Sequence, residues 1–411
     1  MDPVVTATFV LANWIAKGLA SGIYERYGGV IREVATGRIV TLLRESQPPT
    51  DSSSNRFNFF FDAANAAGST ANAVITGKGL AAINQRLGGI EQGLQLTQGM
   101  LQVTSAVSVL NLGVSVMGFA VIAQRLKELE RRLQQAQELL NKINRKVDLG
   151  FYANFRAAID LAANAFTMSK RENREHSAMQ AINRFLEAEH VYTDYTDAEL
   201  EQKSQIADEY LLTLSLAYLA EARCYLELGE SDTALRRFRE GAVVLRSRIQ
   251  KYIDLLLTSN PAAYLQPQFK GQIDLRRLTR IYQWTDPNLD ENAVFEMQRE
   301  NLVKLMGDPN QWVSSLPPAI WDFRVDWVGK AFWDDPKPHI YARLPKTLET
   351  IESVIETNNR FEAYQAEIQA IAQLGITFYE WLQLAPDTEA KPDGANLVYI
   401  IPPKAIEVAA A

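Results

Sequence analysis

Between Gln92 and Gln124 the chain runs for 33 residues without a charged side chain. Charged residues make up 22% of the whole sequence, so the window is a sharp local depletion. A stretch of about 18 or more residues without charge is long enough to be considered as a membrane-spanning helix, which needs roughly 20 mostly apolar positions. Within the window, 103–123 reads VTSAVSVLNLGVSVMGFAVIA. Its hydroxyl residues Thr104, Ser105, Ser108 and Ser115 can bond back to the helix carbonyl one turn earlier, which lowers their cost in lipid. Asn111 is costlier, and together with Gly113 it marks a turn.

The flanks of the window are heptad arms. Leu80, Ile83, Leu87, Ile90 and Leu94 step by three and four, and so do Leu126, Leu129, Leu133, Ala136, Leu140, Ile143 and Val147. Apolar residues recurring about every 3.5 positions keep one seam facing a partner helix. Folding the chain at Asn111-Leu112-Gly113 brings the two seams into antiparallel register, as a long hairpin with charged legs and an uncharged tip. The alternative is one continuous helix, whose Arg125, Lys127, Arg131 and Arg132 then lie at the cytoplasmic edge of a single span. A third reading keeps the window as the permanent core pair of a large bundle. On the first two readings the candidate insertion residues are Val103, Val107, Val109, Leu110, Asn111, Leu112, Gly113, Val114, Val116, Met117, Gly118, Phe119, Val121 and Ile122.

The rest of the chain sorts into four further parts around this hairpin of residues 56–150. Residues 1–46 hold a short helix, Thr6 to Ala16, and a β-meander. In the meander Val30–Val34 and Ile39–Leu43 flank a Thr-Gly turn, with Leu19–Tyr27 as the first strand. Residues 47–55, with QPPTDSSSN from Gln47 to Asn55, form a linker. Residues 151–308 are helical. There Ala222, Tyr225, Gly229, Ala234 and Phe238 follow the small-and-large spacing of a tetratricopeptide helix pair, with a weaker copy at Ala181, Phe185 and Ala188 about 53 residues earlier rather than the roughly 34 of a true array. Residues 309–411 comprise a connection rich in tryptophan and proline, a last helix from about Pro345 to Leu384, and a tail with a short strand at Leu397–Ile401. The expected fold is mainly α, with long antiparallel coiled-coil-like helices, helical hairpins and a small N-terminal β-meander.

An apolar segment set between long amphipathic helices, over about Leu80 to Val147, resembles the architecture of the α-helical pore-forming toxins of the cytolysin A and haemolysin BL kind. The resemblance is one of architecture and not of motif, and it implies a segment hidden in a soluble form and inserted into a bilayer on self-assembly. The β-meander and the repeat-like C-terminal half depart from those toxins.

Composition narrows the chemistry. One cysteine, Cys224, excludes a disulfide framework and any cysteine-based zinc or iron–sulfur site. A net charge of −7 argues against a nucleic-acid partner. Glu187 and His190 have metal-like spacing on a helix but lack a matching second pair. Thr76-Gly77-Lys78-Gly79 lacks the first glycine and the hydroxyl of a phosphate loop. No basic run precedes the apolar start at Met1 to Ala20, as a secretory leader requires. The reading that follows is a non-enzymatic protein without cofactor or metal, cytoplasmic until it associates with a membrane, and partnered by a lipid bilayer, by itself, or by both. The competing reading is a helical scaffold that binds a protein partner through its coiled-coil and tetratricopeptide-like surfaces, with Ala222, Tyr225, Gly229, Ala234 and Phe238 as the candidate contacts.

Overall fold

The computed structural model describes residues 4–45, 71–75, 99–106, 110–140, 150–204, 206–258, 260–264, 266–269, 273, 275–307, 311–317, 320, 337–382, 395–402 and 406–407. Helices dominate it, accompanied by two small sheets. The larger sheet begins as the meander expected from sequence. β2 (Tyr24–Tyr27), β3 (Val30–Glu33) and β4 (Ile39–Glu45) pair antiparallel in that order. β7 (Ala395–Ile400) joins β4 antiparallel, which places the expected C-terminal strand in the N-terminal sheet. β5 (Ala71–Ile75) then lies parallel to β7. The second sheet is a two-stranded ribbon of β1 (Val4–Leu11) and β6 (Gly99–Ala106), antiparallel in one unbroken register.

Two expectations are corrected here. Residues 4–11 are strand, not the start of a helix from Thr6; the helix α1 begins only at Asn13 and ends at Ala20. Val4, Val5, Thr6, Thr8 and Val10 are β-branched, a composition that suits a pleated strand once a partner strand is at hand. That partner is the other misread segment. Residues 99–106, Val103 included, are extended, so the window is neither a helical hairpin nor one continuous helix. Helix begins only at Phe119, in α2 (Phe119–Leu140).

The helical body follows as α3 (Gly150–Ala165), α4 (Arg171–Glu201), α5 (Ala207–Glu227), α6 (Ser231–Leu256), α7 (Leu275–Thr285), α8 (Glu291–Gly307), α9 (Gln311–Ser314), α10 (Lys337–Leu374) and α11 (Phe378–Leu382). α5 is the axis of the body. It packs against α2, α3, α4, α6, α10 and α11. Every residue from Ala207 to Cys224 is buried, so α5 is apolar or internally paired on all its faces. Its end is fixed by Gly229, whose φ of +81° a side chain would strain. The Gly229 and Glu230 amides close back on the Leu226 and Tyr225 carbonyls, turning the chain into α6.

Buried and half-buried ion pairs join the helices around α5. Arg237 of α6 bonds to Glu189 of α4 and to Glu221 of α5, and Arg248 of α6 bonds to Asp197 of α4 at 2.6 Å. Burial, and then the neighbouring Glu221 carboxylate, push the Glu189 carboxyl up to about 9. The two buried carboxyls share the Arg237 guanidinium, which also holds Glu240 of α6, and burial disfavours charge on both at once.

The seam residues Leu126, Leu129 and Leu133 are fully buried on α2, which packs on α3 and α5. Leu140 closes α2. Leu80, Ile83, Leu87, Ile90, Leu94, Ile143 and Val147 lie outside the described residues, as do the linker 47–55 and Thr76-Gly77-Lys78-Gly79. The long last helix starts earlier and stops sooner than expected, at Lys337 and Leu374, with Pro345 inside it.

Candidate functional site

Leu110 to Met117 is the described centre of the charge-free window, and it is buried without regular structure apart from a single 3-10 turn at Val114–Val116. Leu112 is 1% exposed, and Val114 and Met117 are wholly enclosed. A buried segment outside helix and sheet must still find partners for its amides and carbonyls, because an unpaired one costs about 1–3 kcal/mol. Here the partners are mostly side chains, and most of them are charged.

Three elements supply the partners. From β4, both oxygens of Glu45 accept from the Leu112 amide at 3.0 Å. From α10, Arg360 donates to the Leu110 carbonyl and the Tyr364 hydroxyl to the Asn111 carbonyl. Glu367 of the same helix accepts from the Val114 amide at 2.7 Å and, with its other oxygen, from Trp381 Nε1 at 2.7 Å. From α5, Arg223 donates to the Val114 and Ser115 carbonyls at 3.3 and 3.5 Å. The Asn111 amide turns inward onto Met117 Sδ at 3.3 Å. Among the described residues, Asn111 Oδ1 is buried with no hydrogen-bond partner.

The α10 contribution follows from helical spacing. Glu356, Arg360 and Tyr364 are four apart and Glu367 follows three later, so all four share one face. Glu356 does not touch the segment but holds Arg360 at 2.9 Å, and its other oxygen receives Arg26 of β2 at 2.8 Å. Burial opposes the Glu356 charge, yet Arg26 and Arg360 outweigh it and keep this carboxyl below the ordinary carboxylate range. Glu367 has no such pair of arginines, and burial raises it. Arg223 lies 4.7 Å over the Phe378 ring and is paired with Glu227 at 2.6 Å; burial lowers it below an ordinary arginine. Arg125 of α2, which faces Glu45, is lowered by burial to about 10.

Close approach completes the seat. The Leu112 carbonyl sits where a β-carbon on Gly29 would be, 2.0 Å from that position. Leu112 packs in a small cluster of its own with Leu11, Ala12, Ile15, Ile31, Leu43 and Tyr399, apart from the main core.

The structure thus gathers Leu110, Asn111, Leu112, Gly113, Val114, Val116 and Met117 in one enclosed strip. Gly118 is half-exposed, Phe119 opens α2 stacked 5.6 Å from Phe166, Val121 is half-buried and Ile122 buried. Val103 is in β6, and Val107 and Val109 lie outside the described residues. The scaffold candidates are largely interior. Ala222, Ala234 and Phe238 are fully buried, Phe238 edge-on to Phe361 and Tyr364 of α10, while Tyr225 is half-buried and Gly229 exposed at the turn. Glu187 and His190 are both exposed on α4, Glu187 paired with Arg184.

The sequence offered no signal for Glu45, Arg223, Arg360, Tyr364 or Glu367 as partners of the window, because charges at helical spacing read as a solvated face. Among the described residues there is no cluster fit to hold a metal ion, and no helix is long and apolar enough to cross a membrane. Comparison with protein-family models, curated proteins and solved structures finds no match.

Proposed function

We propose that this is a membrane-active protein that keeps its charge-free segment stowed and delivers it to a lipid bilayer on self-assembly. The observation that carries the reading is the seat of Leu110 to Met117. Holding an irregular segment with buried carboxylates and arginines is a costly way to build a permanent core, since each ion must be desolvated and each backbone group matched by a side chain. The same residues as a helix would satisfy their own backbone, and in lipid they would carry no charge across. The charge-free run of 103–123 has the length of a membrane helix, whereas 103–106 are strand and 110–113 irregular, the kind of local conflict that collects at functional segments.

The test is dye release from vesicles of mixed phosphatidylcholine and phosphatidylglycerol, together with flotation of the protein on them. Release and co-flotation are expected. A protein that neither floats with nor permeabilises vesicles of any headgroup charge ends this reading.

One observation favours the helical-scaffold reading instead. α8 presents Phe295, Leu302 and Val303 to solvent, spaced to lie on one face, with Val303 65% exposed. On that reading the segment stays sealed, and hydrogen exchange at 110–117 is as slow with vesicles as without.

A further inference from the structure

The charge-free window is not the only such stretch. Pro3 to Ala16 also lacks charge, and it contains β1. β1 pairs along its full length with β6, the first described part of the window, from Val4 opposite Ala106 to Leu11 opposite Gly99. β1 also lies against β5 and β7, which fall in the uncharged stretches 63–77 and 394–403. Where β1 ends, Leu11, Ala12 and Ile15 enter the cluster that encloses Leu112. The Tyr399 hydroxyl bonds to the Ala12 backbone and fixes this corner to the larger sheet. One short strand therefore grips the window twice, by a ladder on β6 and by side-chain packing on the stowed segment.

We propose that β1 is a latch on the charge-free window, and that its separation from β6 is the step that frees Leu110 to Met117 for a bilayer. This deepens the membrane-active reading and rests on it. The ladder and the Leu112 cluster meet at Leu11, so losing β1 removes the ladder and one wall of the cluster together. The side-chain partners from β4, α5 and α10 are then left holding a segment whose upstream strand has lost its ladder and keeps only its packing on α10 and α1. Two-stranded ribbons are marginal by themselves, so this one relies on the packing of its strands against α10, β5 and β7.

A reversible crosslink tests the latch in the full chain. Thr6 faces Thr104 across the ladder. Directly opposite residues in an antiparallel pair have Cα atoms about 4.5–5.5 Å apart, inside the span of a disulfide. Thr6→Cys with Thr104→Cys is therefore compared oxidised and reduced. Native Cys224 takes no part, since it is buried and its thiol is pushed up well beyond an ordinary cysteine. Ala7→Cys with Val103→Cys repeats the test on the opposite face of the ribbon, should the first pair disturb packing.

Two readouts are taken, hydrogen exchange at 110–117 and dye release from the mixed vesicles. The expected result is that oxidation slows exchange there by more than about tenfold and suppresses release, and that reduction restores both. Exchange and release equally fast in the two forms overturn the latch while leaving the membrane reading intact. If neither form releases dye, the membrane reading fails. In that case unslowed exchange overturns the latch as well, and slowed exchange supports β1 as the restraint on the segment.

Discussion

Gly29→Ala is the sharpest probe of the stowed segment. A β-carbon there would stand 2.0 Å from the Leu112 carbonyl oxygen, 2.8 Å from its carbon and 2.9 Å from the Leu43 oxygen. All three atoms are backbone, so no rotamer change relieves the clash. The Leu43 amide is bonded to the Gly29 carbonyl at 2.6 Å, which keeps β3 and β4 from parting. The Leu112 peptide must therefore retreat by about 1.4 Å to reach the 3.4 Å of ordinary contact. That movement breaks the 3.0 Å bonds to Glu45. A lost bond to a charged acceptor costs about 1.5–3 kcal/mol, and overpacking adds about 1–3 kcal/mol. The lower entropy of the unfolded alanine chain returns about 0.4–1 kcal/mol. The expected net loss is about 2–5 kcal/mol, read as a lowered urea midpoint with an unchanged slope. Exchange at 110–117 should rise more than exchange in α5. Gly118→Ala, where no atom lies within 4 Å of the new carbon, is the control and should cost no more than the preference for glycine over alanine at a helix start, about 1 kcal/mol. A Gly29→Ala protein within that same margin, with unchanged exchange at 110–117, would refute the seating of Leu112 on Gly29.

Glu367→Gln sets an amide NH2 against either the Val114 amide or Trp381 Nε1, both donors; a loss of about 1–3 kcal/mol and faster exchange at Val114 are expected by denaturation and exchange. Arg360→Met strips the Leu110 carbonyl of its donor and leaves buried Glu356 with Arg26 alone; it should cost about 3–5 kcal/mol, much of it recovered when Glu356→Gln is added. Glu189 has a folded value of about 9 against an ordinary 4.5, so its contribution is complete below the ordinary value and is lost as pH rises through about 9. Thermal midpoints should therefore fall over that range, and Glu189→Gln should flatten the fall. Glu356 is lowered and acts in the opposite sense, its contribution being lost only as pH drops below the ordinary carboxylate range.

What the sequence disclosed tracks how local each signal is. The β3–β4 turn and the small-residue spacing at Ala222, Ala234 and Phe238 depend on neighbours a few residues away, and they reappear as a hairpin and a packed helix pair. The buried seam of α2 at Leu126, Leu129 and Leu133 was legible for the same reason, because a helix repeats its pattern within itself. The strand β1 was not. Phe9, Val10, Trp14 and Ile15 fit a helical stripe as well as anything else, and the choice over residues 4–11 was made by a distant partner strand, Gly99–Ala106. The addition of β7 to the N-terminal sheet is equally non-local; its β-branched run could be recognised as a strand, but its place beside β4 could not.

The stowed segment failed to announce itself for a different reason. Its own residues are uncharged and mark no more than a turn at Asn111 and Gly113, while the groups that hold it sit on β4, α5 and α10. Taken alone, Glu356, Arg360, Tyr364 and Glu367 look like an ordinary polar face. Only in the fold does that face turn inward onto a strip of bare backbone. A permanent core could enclose the same apolar side chains with a self-satisfied helix and no buried ions. Keeping the strip irregular transfers most hydrogen bonds of 110–116 onto side chains that other segments own, so the segment's conformation depends on those segments staying where they are. That dependence is what a conditional element requires, and it is why loosening β1 or crowding Gly29 should act on one strip before the rest of the molecule.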